Sequence, residues 1–208
     1  MIFENELIAG ALIKRYKRFF VDIKVKNKVI TAHCPNTGSM MGLLKKGNKV
    51  WFTKSNDTKR KLKYTLQIIE VNGSKIGVNT HLTNKIFYEA LLSKKIINLK
   101  KTDILFREKQ FNKNTRFDFF IKQKDKGCFI EVKNVTLSRF KNIAEFPDAV
   151  TERGLKHIRE LMEAKKKGFD VYLAFIIQRE DCKRFKIAED IDLNYKKLLT
   201  VALKNDLK

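Results

Sequence analysis

The period of the apolar residues changes at Thr80, and that change constrains the fold more than any other feature of the chain. Before it, apolar and polar residues alternate. Phe20-Val21-Asp22-Ile23-Lys24-Val25 does so over six positions, as a half-buried strand must. Val29 to His33, Val50 to Thr53 and Tyr64 to Val71 read the same way. Asn72-Gly73 is a two-residue hairpin turn into Lys75-Ile76-Gly77-Val78. Short strands parted by such turns describe a small closed β-barrel of the OB type over 1–80.

After Thr80 the period becomes helical. Leu82, Ile86, Ala90 and Leu91 predict an amphipathic helix near 83–93 that carries Glu89. Three strands are expected next, at Ile104–Glu108, Arg116–Ile121 and Cys128–Lys133, the last two joined by a turn near Lys124-Asp125-Lys126-Gly127. Leu155, Ile158, Leu161 and Met162 share one face of a helix near 151–167, which Gly168 stops. Val171 to Ile177 is almost wholly apolar, as a central strand is, and a last helix covers 194–203. The order helix, three strands, helix, strand, helix describes an α/β domain with a mixed sheet over 81–208, distinct from the barrel.

Composition bounds the class. The formal net charge is +22, and it is not a basic tail: 16 basic and 5 acidic residues lie in 1–80, 29 and 18 in 81–208. Such a surface attracts polyanions, nucleic acid above all. Lys outnumbers Arg 35 to 10, which A·T-rich codons would also produce without functional cause. No apolar run approaches the ~20 residues that span a bilayer. Met1 to Glu6 is acidic where a leader peptide is basic, and Cys34, Cys128 and Cys182 are odd in number and far apart. These features set the expectation of a cytoplasmic protein without a membrane segment. Oligomeric state is left open, a homodimer included.

The chemistry is expected where charge interrupts the apolar strands. Asp118 sits inside one, Glu131 and Lys133 inside the next. Alternation puts Glu131 and Lys133 on one face, and a hairpin would bring Asp118 beside Glu131. Two adjacent carboxylates repel, and a divalent cation relieves this. Mg²⁺, or Mn²⁺ in its place, takes one or two carboxylates together with waters and a substrate phosphate. Lys133 would orient the attacking water or meet charge developing at phosphorus. The competing reading is a solvated hairpin with an ordinary Glu131–Lys133 pair. The arrangement resembles the PD-(D/E)xK nuclease superfamily. That resemblance implies Asp118, Glu131 and Glu89 as metal ligands and Gln178 as a further polar residue of the site.

Other segments suit a nucleic-acid surface. Arg15-Tyr16-Lys17-Arg18 and Lys59-Arg60-Lys61 mix cations with aromatics, as single-strand and duplex grooves do, and as charge-protected strand edges also do. Thr37 and Ser39, in His33-Cys34-Pro35-Asn36-Thr37-Gly38-Ser39-Met40, could bind phosphate with hydroxyls and backbone N–H groups, or form a structural turn. Arg153, Lys156 and Glu160 share a helix face with His157 beside them. This set either meets phosphate near Asp118 or is a solvated face.

Taken end to end, the chain resembles the sugar fermentation stimulation protein A family. The residues that carry the resemblance are Leu12 to Phe19, Thr31 to Met40, Gly77 to Thr80, Glu131-Val132-Lys133-Asn134-Val135-Thr136-Leu137, Phe146 to Gly154, and Lys156-His157. The family implies an OB-like barrel joined to a PD-(D/E)xK nuclease-like domain, DNA binding with little sequence preference, and a regulatory link to sugar (maltose) utilisation. Three functions are therefore carried forward: a Mg²⁺-dependent nuclease that binds DNA, a DNA-binding regulator without catalysis, and a binder of a phosphorylated metabolite in the Cys34–Ser39 loop.

Overall fold

The computed structural model describes residues 2–99, 104–123 and 126–208. Its first six strands are β1 (Ile8–Tyr16), β2 (Phe20–Val25), β3 (Lys28–His33), β4 (Lys49–Lys54), β5 (Tyr64–Val71) and β6 (Ser74–Gly77). They form one sheet in the order β3-β2-β1-β4-β5-β6, and a parallel pairing of β3 with β5 closes it into the barrel of an OB domain. Alternate residues fill the interior: Leu12, Val21, Ile23, Ala32, Val50, Phe52, Leu66, Ile69 and Ile76 are all buried there. Asn72 and Gly73 adopt φ of 51° and 81°, the left-handed pair that a two-residue hairpin requires. Strand β1 contains Gly10 because β2 comes so close. A Cβ at Gly10 would lie 2.5 Å from Ile23 Cγ2.

The second architecture is a mixed-sheet α/β fold. Helix α1 (His81–Leu92) is followed by β7 (Ile104–Asn112), β8 (Thr115–Gln123) and β9 (Lys126–Val135), then α2 (Glu152–Lys166), β12 (Asp170–Ile177) and α3 (Leu193–Lys204). The sheet order is β12-β9-β8-β7. Phe87 and Leu91 of α1 pack on Phe119, Ile121, Cys128, Ile130 and Val132. Phe120 and Phe129, cross-strand partners with ring centroids 4.6 Å apart, both meet Phe169 edge to face. Gly168, with φ +90°, ends α2 as expected. Lys124 and Asp125 of the expected β8–β9 turn lie outside the described residues.

Three short strands, β10 (Leu137–Phe140), β11 (Ile143–Phe146) and β13 (Arg184–Ile187), make a separate sheet in the order β10-β11-β13. They change how the chain is partitioned. One compact unit comprises Met1–Leu82, Asn134–Asp148 and Ile177–Lys186; the other comprises Thr83–Lys133, Ala149–Ile176 and Ile187–Lys208. The chain thus leaves the second unit twice and returns to it twice. Among the described residues no helix is long and apolar enough to cross a membrane.

Candidate active site

The register between β8 and β9 pairs Phe119 with Ile130, and the next residues along the two strands are Asp118 and Glu131. Ladder pairing stops there, and the Asp118 side chain takes over backbone groups the ladder no longer serves. Its Oδ2 accepts the Val132 N–H at 2.8 Å, and its Oδ1 accepts the Asn84 side-chain amide at 2.7 Å. Burial, then the charge of Glu131, push the Asp118 carboxyl from 3.8 up to about 6, against the pull of these two donors and of Lys133.

Glu131 is only 4% exposed. Ile130 and Val132, its neighbours, pack towards α1, so alternation turns Glu131 away from that core. Its Oε1 takes a hydrogen bond from Lys133 Nζ at 2.7 Å and a short contact from His157 Nδ1. Lys133 Nζ also lies 3.1 Å from His157 Nδ1. Burial alone would raise the Glu131 pKa, but the His157 hydrogen bond and the Lys133 charge overcome it, and the carboxyl is held below its ordinary value. The second oxygen, Oε2, is equally buried and has no hydrogen-bond partner among the described residues.

The frame behind His157 explains its aim. Thr151 caps α2 by accepting the Gly154 N–H at 3.0 Å. Asp192 caps α3 through the Tyr195 N–H and also accepts the Thr151 N–H, each at 2.9 Å, tying the two helix starts together. Gly154 permits the approach, since a Cβ there would lie 2.9 Å from Tyr195 Cε2. Burial, then the charges of Glu131 and Asp192, raise the Tyr195 phenol pKa.

The strand pair thus offers two carboxylates, one with a buried oxygen left without a hydrogen bond among the described residues, and a lysine beside them. Among the described residues no three or more His, Cys, Asp or Glu side chains are grouped as a metal site. A cation held here would take Asp118 and Glu131, with its other positions filled by water or a phosphate oxygen, as Mg²⁺ prefers. On the α1 side Asn84 reaches Asp118. Glu89 lies five positions further along, about 140° round the helix and half-buried. Gln178 belongs to the other compact unit, where its amide donates to Asn134 and its carbonyl accepts the Gly77 N–H.

The other expected binding residues are dispersed. Lys17 and Arg18 form the exposed β1–β2 turn, with φ of 48° and 62°. Arg15 is tied to the Arg18 and Asn36 carbonyls, and Tyr16 stacks on Phe20 and donates to Asp22. Lys59, Arg60 and Lys61 are exposed between β4 and β5, and Arg60 donates to Thr65. Thr37 is exposed, whereas the Ser39 hydroxyl donates to the Asp148 carbonyl at 2.7 Å. Arg153 is exposed; Lys156 donates to the Asn114 carbonyl and Glu160 accepts from Asn112. His157 faces Glu131 rather than solvent.

Asn84 was invisible to sequence reasoning, because a half-buried amide beside the stripe Thr83, Phe87 and Leu91 carries no distinctive pattern. His157 had a readable signal. It falls in the buried set Gly154, Leu155, His157, Ile158, Leu161 and Ala164 of α2.

Comparison with known proteins places this geometry. Residues 13–78 match the model of the SfsA N-terminal OB domain, and residues 81–208 that of the sugar fermentation stimulation protein RE domain. The sugar fermentation stimulation protein homolog of Pelagibacter ubique is 53% identical over 94% of this chain and 84% of its own length. The homolog of Maricaulis maris is 44% identical over 96% and 86%. The solved structure of Pyrococcus furiosus SfsA in complex with Ca²⁺ superposes with a TM-score of 0.91 at 25% identity, covering 100% of this chain and 88% of that one. The chain belongs to the sugar fermentation stimulation protein (SfsA) family.

Proposed function

We propose that this protein is a DNA-binding phosphodiesterase that works with a divalent cation at Asp118 and Glu131. The observation that carries the reading is the unsatisfied Oε2 of Glu131, buried beside a carboxyl that the Glu131 charge helps to push up to about 6. An unmade bond at a buried carboxylate is costly and marks a place for a ligand. The P. furiosus relative was solved with Ca²⁺, a cation that takes carboxylate oxygens of this kind. A divalent cation here would supply charge neutralisation, contact with a phosphodiester oxygen and a more readily ionised water. The protein's own share is positional. Asn84 and the Val132 N–H fix Asp118. His157 and Lys133 hold Glu131 by Oε1, and Oε2 would be the oxygen given to the cation. Lys133, bonded to Glu131, would meet charge developing at phosphorus. The test is cleavage of single-stranded, duplex and branched DNA in Mg²⁺ or Mn²⁺, beside Asp118→Ala. Wild-type protein should cut at least one substrate and the variant none. If nothing is cut, or if both cut equally, the enzymatic reading fails.

A second reading, a DNA-binding regulator without catalysis, rests on a different observation: half of the excess charge lies in 1–80, a stretch that holds neither Asp118 nor Glu131. It requires salt-sensitive binding that survives Glu131→Ala and never yields products. The metabolite reading has less support. The cavity of about 240 Å³ beside Asn36, Thr37 and Gly38 has the Asp148 carboxylate in its lining, and no Lys or Arg among the described residues that line it.

A further inference from the structure

The β10-β11-β13 sheet carries an arrangement that the carboxylate site does not use. Strand β10 pairs Leu137 with Glu145 and then, after a register shift, Phe140 with Ile143. Phe140 is 50% exposed, a large apolar ring open to solvent. Two cations stand over that ring, Lys186 Nζ at 3.8 Å and Arg139 Cζ at 5.8 Å from its centroid. They are not loosely placed. Glu145, 1% exposed, accepts Arg139 Nη2 at 2.8 Å and Nε at 3.0 Å, and pairs with Lys186 Nζ at 3.4 Å. One buried carboxylate therefore frames an exposed aromatic ring with two oriented cations. A cavity of about 530 Å³ adjoins it, lined in part by Arg139, Phe140, Lys141 and Asn142. Exposed Lys141, Lys183 and Arg184 on the same strands and turns have no acidic partner among the described residues.

We propose that this sheet face binds a single-stranded DNA segment, one base stacking on Phe140 and the flanking phosphates meeting Lys141, Lys186 and Arg139. An aromatic ring framed by cations matches a nucleotide, whose base has a flat face and whose phosphate has charge. A duplex hides its base faces within its own stack, so the ring selects single strands. An acidic peptide matches the charge but has no base to stack. The inference rests on the DNA-binding part of the proposed function and not on cleavage.

The experiment measures fluorescence anisotropy of three labelled ligands: a short oligo-dT, an abasic strand of equal length and a duplex. Phe140→Ala should bind oligo-dT about tenfold or more weakly, the effect of losing one stacked base, and should bind the abasic strand and the duplex as wild type does. Phe140→Trp should restore oligo-dT binding, with its indole fluorescence quenched on addition of the strand. The inference is overturned if Phe140→Ala binds oligo-dT like wild type, or weakens for all three ligands alike. A polyglutamate peptide that competes fully and is equally sensitive to Phe140→Ala also overturns it. Wild-type protein that binds no DNA takes the proposed function down with it. Protein that shows the Phe140 pattern but cuts nothing supports this site while refuting the nuclease.

Discussion

Asp118→Asn should stabilise the metal-free protein at neutral pH and destabilise it in acid. Burial and the Glu131 charge raise the Asp118 carboxyl from 3.8 to about 6 in the fold. The fold therefore holds its proton more tightly than the unfolded chain does. Stability from this group is complete below about 3.8 and is lost as pH rises through about 6. At about 1.4 kcal/mol for each pH unit, the ionised carboxylate costs about 3 kcal/mol above that window. Asparagine removes this charge but offers one acceptor where Asp118 accepts from both Asn84 and Val132, which costs about 1 kcal/mol. The net is a gain of about 1–2 kcal/mol at pH 7.5, or roughly 2–8 °C for a chain of this length. At pH 3 the carboxyl is protonated in the fold and largely so in the unfolded chain, and the lost hydrogen bond dominates, a fall of about 2–4 °C. Melts followed by circular dichroism in EDTA at both pH values measure the change. A variant less stable than wild type at both, or shifted equally at both, refutes the reasoning.

Two further predictions concern the frame. Asp192→Ala removes the cap of α3 and the acceptor of the Thr151 N–H together, and should cost about 2 kcal/mol, seen as a melting point lower by roughly 4–8 °C. Gly38→Ala would set a Cβ 2.7 Å from Asp148 Oδ2 and should cost about 1–3 kcal/mol; adding Asp148→Ala should remove the clash, so denaturant unfolding should show a double variant less impaired than the sum of the singles.

Much of this fold was legible because its elements are long enough to show a period. The strand expected at Tyr64 to Val71 is β5 to the residue, and the helix expected near 151–167 is α2, Glu152–Lys166. Strand β1 was not legible. Ile8-Ala9-Gly10-Ala11-Leu12 does not alternate, and its glycine answers to the closeness of Ile23, a fact of the tertiary structure. Strands β10, β11 and β13 have four residues each, too few for any period, and with them went the rejoining of 134–148 and 177–186 to the barrel unit. At the candidate site, strand parity suffices to put Glu131 and Lys133 on one face, and they meet at 2.7 Å. Nothing in a sequence shows which residue of a neighbouring helix reaches across a break in a ladder, so Asn84 had to come from the structure.

Under the proposed function, Asp118 and Oε2 of Glu131 share a divalent cation. Crystals soaked in Mn²⁺ and measured at the manganese absorption edge test it most directly. An anomalous peak bonded to Asp118 and Glu131, absent from Asp118→Asn crystals, is expected. A peak elsewhere, or no peak at saturating Mn²⁺, contradicts it.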